Sequence, residues 1–100
     1  MAIVEVSVVP IGGVGTSLSG YVARAVRILK ESGLQYELTA MGTIISGDLD
    51  SIMRVIQKMH ESCFQSDIAR VLTTIRIDDR RDCSATPERK VRSVVEKLGS

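Results

Sequence analysis

Four groups of side chains in this sequence carry chemistry beyond packing. Glu5 and Arg76 each sit in a stretch that alternates apolar and polar residues. A carboxylate and a guanidinium on neighbouring strands can form a cross-strand ion pair, or they can grip a polar ligand. Gly12, Gly13, Gly15, Thr16, Ser17 and Ser19 form a small-residue loop ahead of an amphipathic stretch, the setting in which helix N-terminal amides cradle phosphate. That loop lacks a Gly-Lys-Ser/Thr ending, lacks the last glycine of the dinucleotide fingerprint and has no Arg to hold a phosphate. A flexible strand-to-helix loop is the simpler reading. His60 and Cys63 are three residues apart and could face one metal ion, but no third ligand stands at a helical spacing, so Cys63 reads as a small core residue. Asp79-Arg80-Arg81-Asp82 either grips an anion or a partner chain, or is a solvated turn. No nucleophile–base pair is recognisable, and a lone His gives little for acid–base work, which argues against an enzyme.

The elements that must position these residues follow from periodicity. From Ala2 to Val9 the chain alternates, with Val4, Val6 and Val8 on one face and Ile3, Glu5, Ser7 and Val9 on the other; Pro10 ends this strand. Gly20 to Ser32 is a helix with Val22, Ala25, Val26 and Leu29 as its apolar stripe, Ser17 or Ser19 as N-cap and Gly33 just past its end. Leu34, Tyr36 and Leu38 alternate with polar residues, and Thr43-Ile44-Ile45 is β-branched throughout, so a hairpin turns near Gly42. A two-residue type I′ turn asks Met41 for a positive φ, which leaves a wider loop from Thr39 to Thr43 equally open. Asp48 or Asp50 caps a second helix whose stripe is Ile52, Val55, Ile56, Met59 and Cys63. In the last strand Val71, Thr73, Ile75 and Ile77 share one face, and Leu72, Thr74, Arg76 and Asp78 the other. Thr86 and Pro87 open a third helix with the stripe Val91, Val94, Val95 and Leu98, closed by Gly99.

One hundred residues, 44% apolar and 25% charged, make a single domain spanning 1–100. A net charge of +1 and only three aromatics argue against a nucleic-acid partner. No apolar run approaches the ~20 residues needed to cross a membrane. No basic region followed by an apolar core is visible at the N-terminus, and two cysteines are too few for a disulfide framework, so a cytoplasmic setting with reduced thiols is expected. Neither a metal nor a cofactor is expected.

The order of elements is that of an α+β, ferredoxin-like β-α-β-β-α-β sandwich with an extra C-terminal helix. Right-handed crossovers give the strand order four, one, three, two, with both crossover helices on the valine face. The other face then carries Ile3, Val9 and Leu72 among polar residues with no helix to cover it, which predicts self-association through that face or the sheet edges.

The chain also resembles a known family. The carrying residues are Ser7-Val8-Val9-Pro10, Tyr21-Val22, Ser32-Gly33-Leu34-Gln35-Tyr36, Met41-Gly42-Thr43, Arg70-Val71, Ile77-Asp78-Asp79-Arg80-Arg81, Lys90-Val91 and Ser93-Val94. They look like the small thiamine-binding proteins, along almost the whole length. The resemblance implies a ferredoxin-like subunit in a dimer of dimers that binds thiamine or its hydroxymethylpyrimidine half, with no established catalysis. It places the ligand near Met41-Gly42-Thr43 and the open sheet face. The expected ligand-binding residues are then Glu5, Ser7, Tyr36, Met41, Thr43 and Arg76. Glu5 accepts from the aminopyrimidine, Arg76 orients Glu5, Tyr36 offers a π-face and Met41 an apolar wall.

Overall fold

A computed structural model describes residues 1–12, 19–64, 68–82 and 87–98. The described elements are β1 (Ala2–Pro10), α1 (Ser19–Ser32), β2 (Gln35–Thr39), β3 (Gly42–Gly47), α2 (Leu49–Ser62), β4 (Val71–Asp79) and α3 (Pro87–Leu98). The strands form one antiparallel sheet in the order β2-β3-β1-β4, which is the ferredoxin-like order expected from the sequence.

Register explains the core. Val4 stands opposite Ile45 on one side and Ile77 on the other, and Val6 stands opposite Thr43 and Ile75. Opposed residues share a face, so this row looks toward the helices. Ala2, Val4, Val6 and Ile45 are buried against Ala25 and Leu29 of α1 and Ile52, Val55, Ile56 and Met59 of α2. Each of the larger side chains contributes about 1.5–3 kcal/mol by leaving water.

The helix ends are held locally. Asp48 caps α2, accepting from the Ser51 amide and hydroxyl at 3.1 Å each. Gly33, at φ 78°, takes the left-handed position after α1. Arg24 donates to the Ser62 carbonyl at 3.2 Å, placing a cation from α1 at the negative end of the α2 dipole.

The structure decides one open alternative and corrects several expectations. The hairpin loop is the short one, because Thr39 pairs directly with Gly42 and leaves only Ala40 and Met41 between the strands. Thr39 Oγ1 makes that turn workable: it accepts from the amides of Met41 (3.2 Å) and Gly42 (3.1 Å) and donates to the Gly42 carbonyl at 2.8 Å. Within the α1 stripe Ala25 and Leu29 are buried, but Val22 is 50% exposed. On β4, Ile75 and Ile77 face the helix side yet are partly open to solvent, Ile77 at 48%, because the helices cover the middle of the sheet better than its β4 edge. The stripe of α3 is exposed throughout, up to 80% at Leu98, although Val91 lines a hollow with Ile3, Glu5 and Arg76 of the sheet. The subunit measures 53 Å along its longest axis, with a radius of gyration of 15.4 Å against about 13 Å for a compact domain of this length. Pro87 opens α3. The caps assigned to Ser17 and Thr86, the terminator Gly99, the thiol of Cys83 and the phosphate-loop residues 13–18 lie outside the described residues, as does the Ser19 side chain.

Candidate functional site

The strands of the sheet differ in length, and this opens a cleft. β1 pairs with β4 along its whole run, from Ala2 opposite Asp79 to Pro10 opposite Val71. Its pairing with β3 stops at Val6 opposite Thr43. Ser7 to Pro10 therefore run on past the hairpin with no described strand beside them on that side. α1 crosses above, and the space between helix, overhang and hairpin is a cleft of about 350 Å³.

Its walls are Val6–Pro10 of β1, Tyr21, Val22, Ala25 and Val26 of α1, and Leu38–Thr43 of the hairpin, with Met59 and Cys63 of α2 beneath. None of these carries a formal charge. Apolar surface dominates; Tyr21 and Thr43 bring hydroxyl-bearing side chains to the lining, while the Thr39 hydroxyl is held in the turn and Ser7 alternates onto the Glu5 face of β1. That combination suits a flat ring with a few polar atoms. Tyr21 is steadied by the Arg24 guanidinium, 5.5 Å from its ring centre. Burial pushes the Cys63 thiol up from its ordinary pKa, only partly opposed by a hydrogen bond with Ser62 and the charge of Arg24. The thiol beneath the cleft therefore stays protonated at neutral pH.

The six residues expected to bind ligand do not line one hollow within a subunit. Ser7, Met41 and Thr43 line the cleft. Glu5 and Arg76 lie on the opposite, open face, in a separate hollow of about 340 Å³ with Ile3, Ile44, Ile77, Asp78 and Val91. There they pair at 3.5 Å, with the Arg76 side chain 80% and the Glu5 side chain 37% exposed. Tyr36 stands opposite Ile45, on the helix side, and packs against the core, lining neither hollow. Alternation is the physical cause: the two-residue loop sets the phase of β2 and β3, so Tyr36 and Thr43 look away from Glu5. The sequence reading missed Tyr21, Val22 and the exposed edge of β1. The usable signal was length, since β1 has nine residues and β3 only six.

The remaining groups separate as well. His60 turns toward β4, with Nδ1 2.6 Å from Thr73 Oγ1 and its ring edge-on to Phe64 at 5.3 Å. It lines a groove between α2 and β4, whereas Cys63 lies under the cleft, so the two do not face one ion. In the charged turn, Arg80 holds Asp82 at 2.8 Å and Arg81 holds Asp79 at 3.1 Å. Among the described residues no helix is long and apolar enough to cross a membrane.

Comparison with known proteins adds an independent line. A family model described as thiamine-binding protein matches residues 4–95. The chain is 44% identical over 99 residues to a UPF0045 protein of Methanothermobacter thermautotrophicus, covering 98% of this chain and 100% of the relative. It is 46% identical over 102 residues to the UPF0045 protein YqgV of Bacillus subtilis, covering 98% of both. A solved structure from Methanocaldococcus jannaschii superposes with a TM-score of 0.83 at 38% identity, covering 95% of this chain and 96% of that one. A Thermotoga maritima structure, described provisionally as a thiamine biosynthesis/salvage protein, superposes with a TM-score of 0.77 at 25% identity, covering 93% and 97%.

Proposed function

Because this chain belongs to the thiamine-binding protein family, we infer that it holds thiamine, or the hydroxymethylpyrimidine half of it, without transforming it. The cleft between α1 and the hairpin carries this reading. An aminopyrimidine is flat, has apolar ring faces and a methyl edge, and matches walls made by Val22, Val26, Leu38 and Met41. The hydroxyls of Tyr21 and Thr43 orient its polar atoms. The thiazolium half of thiamine stays at the mouth beside Met41, which is 82% exposed, so that water continues to solvate its charge.

We read the role as binding without catalysis: the described lining is apolar and hydroxyl-bearing, and the Cys63 thiol beneath it is kept protonated by burial. The expected cytoplasmic setting keeps that thiol reduced.

Self-association is part of the same reading. The exposed stripe of α3 and the open face around Ile3, Ile44 and Leu72 are apolar surfaces that a second copy would cover, in a dimer of dimers. Were no small ligand held, this surface would favour a structural or regulatory oligomer.

The test is a thermal-shift and calorimetric screen with thiamine, its phosphates and the free pyrimidine. A ligand that binds only the native state raises Tm. A Tm that none of these compounds moves, with no heat of binding at millimolar ligand, leaves only the oligomer reading.

A further inference from the structure

The overhang of β1 has a directional backbone, and the hydrogen bonds at its two ends reveal the direction. At one end the Met1 amine donates to the Arg80 carbonyl at 3.4 Å, and the Arg80 amide donates back to the Met1 carbonyl at 3.2 Å. At the other end the Ile11 amide donates to the Arg70 carbonyl at 2.8 Å. Odd-numbered residues of β1 therefore turn their backbone groups toward β4. Even-numbered ones turn toward the hairpin, because successive peptide groups along a strand point to opposite edges. A separate observation agrees: a Cβ built on Gly42 of β3 would fall 2.9 Å from the Val6 carbonyl oxygen, so that oxygen points at the hairpin.

Beyond Val6, the last residue opposite β3, two even positions remain, Val8 and Pro10. Pro10 has a carbonyl on that edge but no N–H, and proline is a common device for stopping another strand from adding to an edge. Val8 presents both an N–H and a C=O on the side of the cleft that it lines. An adjacent donor and acceptor form the pattern that reads an aminopyrimidine edge, whose exocyclic amino group donates beside a ring nitrogen that accepts. Among the described residues the short hairpin thus leaves one residue's worth of strand edge unpaired, with Pro10 closing it to anything longer.

We propose that the backbone of Val8 is the specificity element of the cleft: its N–H donates to a pyrimidine ring nitrogen while its carbonyl accepts from the neighbouring amino group. This rests on the reading that the ligand carries an aminopyrimidine, and it adds which edge is read and by what. Selectivity then comes from the main chain, while the hydroxyls and apolar walls set orientation and affinity. A ring with a carbonyl in place of the amino group reverses the pattern, setting oxygen against oxygen and N–H against N–H. Such a ring is refused even though its shape is nearly unchanged.

The experiment uses the whole chain with three probes: hydroxymethylpyrimidine, thiamine, and the analogue whose ring amino group is replaced by a carbonyl oxygen. Calorimetry is expected to show the two aminopyrimidines binding and the carbonyl analogue weaker by roughly tenfold or more, the cost of mispaired polar groups. Val8→Pro removes the donor without removing a bond to β4, since that amide faces the other way, and is expected to weaken both aminopyrimidines by a similar factor. Amide NMR of the unaltered chain gives a measurement independent of whether that variant folds. Titration with hydroxymethylpyrimidine is expected to shift the Val8 amide and slow its exchange with solvent. Binding of the carbonyl analogue as tight as that of the aminopyrimidines, or a Val8 amide unmoved at saturation, overturns the assignment while the ligand reading stands. No binding by any aminopyrimidine removes the ligand reading itself, and the assignment with it.

Discussion

Glu5 and Arg76 stand directly opposite one another on β1 and β4, with Oε1 3.5 Å from Nη1, and they do so on the face of the sheet away from the cleft. A pair with so exposed a guanidinium is screened by water and contributes only about 0–1 kcal/mol. Glu5→Gln is therefore expected to leave the urea midpoint almost unchanged. The same variant separates the two hollows. With the pyrimidine seated between α1 and the hairpin, calorimetry of Glu5→Gln should return the wild-type affinity for thiamine. A loss of tenfold or more moves the site to the open face.

The helix α3 gives a second expectation. A lone helix of twelve residues is marginal in water, and every described apolar residue of its stripe is exposed in the single subunit. The proposed self-association would supply the cover that this stripe lacks. Removing residues 86–100 is expected to lower the mass seen in sedimentation while leaving the sheet and its two covering helices able to melt cooperatively. An unchanged mass would show that copies meet without α3.

These expectations turn on features that were legible in the sequence to different degrees. The valine alternation in β1 and the caged stripe of α2 from Ile52 to Cys63 fix their faces locally, because each pattern spans its own element. The strand order followed from element order and handedness. The phase of the hairpin did not follow, since it depends on loop length. A wide loop and a two-residue loop send Tyr36 and Thr43 to different faces, and the Thr39 hydroxyl, with its bonds to Met41 and Gly42, decides between them. The cleft was hidden for a related reason. It exists because β3 is shorter than its neighbour β1, which is a relation between two strands rather than a property of either.

Cys63 carries a pH signature. Burial raises its pKa in the folded state above that in the unfolded chain, so the folded state prefers the neutral thiol. The stabilisation is complete below the ordinary thiol pKa and is lost as pH rises through the raised, folded value. Cys63→Ala removes this dependence. Urea unfolding from neutral to alkaline pH is expected to show the wild type's advantage over Cys63→Ala shrinking as pH rises. A constant difference across that range would mean that the thiol is not desolvated.

Val22 offers the most direct test of where the ligand sits. It is half exposed on α1, lines the cleft and faces the hairpin wall that includes Met41. A larger side chain there displaces water rather than core, so overpacking strain, about 1–3 kcal/mol in a filled interior, is largely avoided. Val22→Trp is thus expected to keep the wild-type Tm within a few degrees while occupying the mouth of the cleft. If thiamine enters there, its affinity falls by more than about tenfold, since a flat ring and an indole cannot share the same gap between helix and hairpin. The open-face hollow with Glu5 and Arg76 lies across the sheet and is untouched by this change. Val22→Trp and Glu5→Gln therefore form a reciprocal pair, read by the same calorimetric titration. Loss with the first and none with the second places the ligand under α1. The reverse places it on the open face.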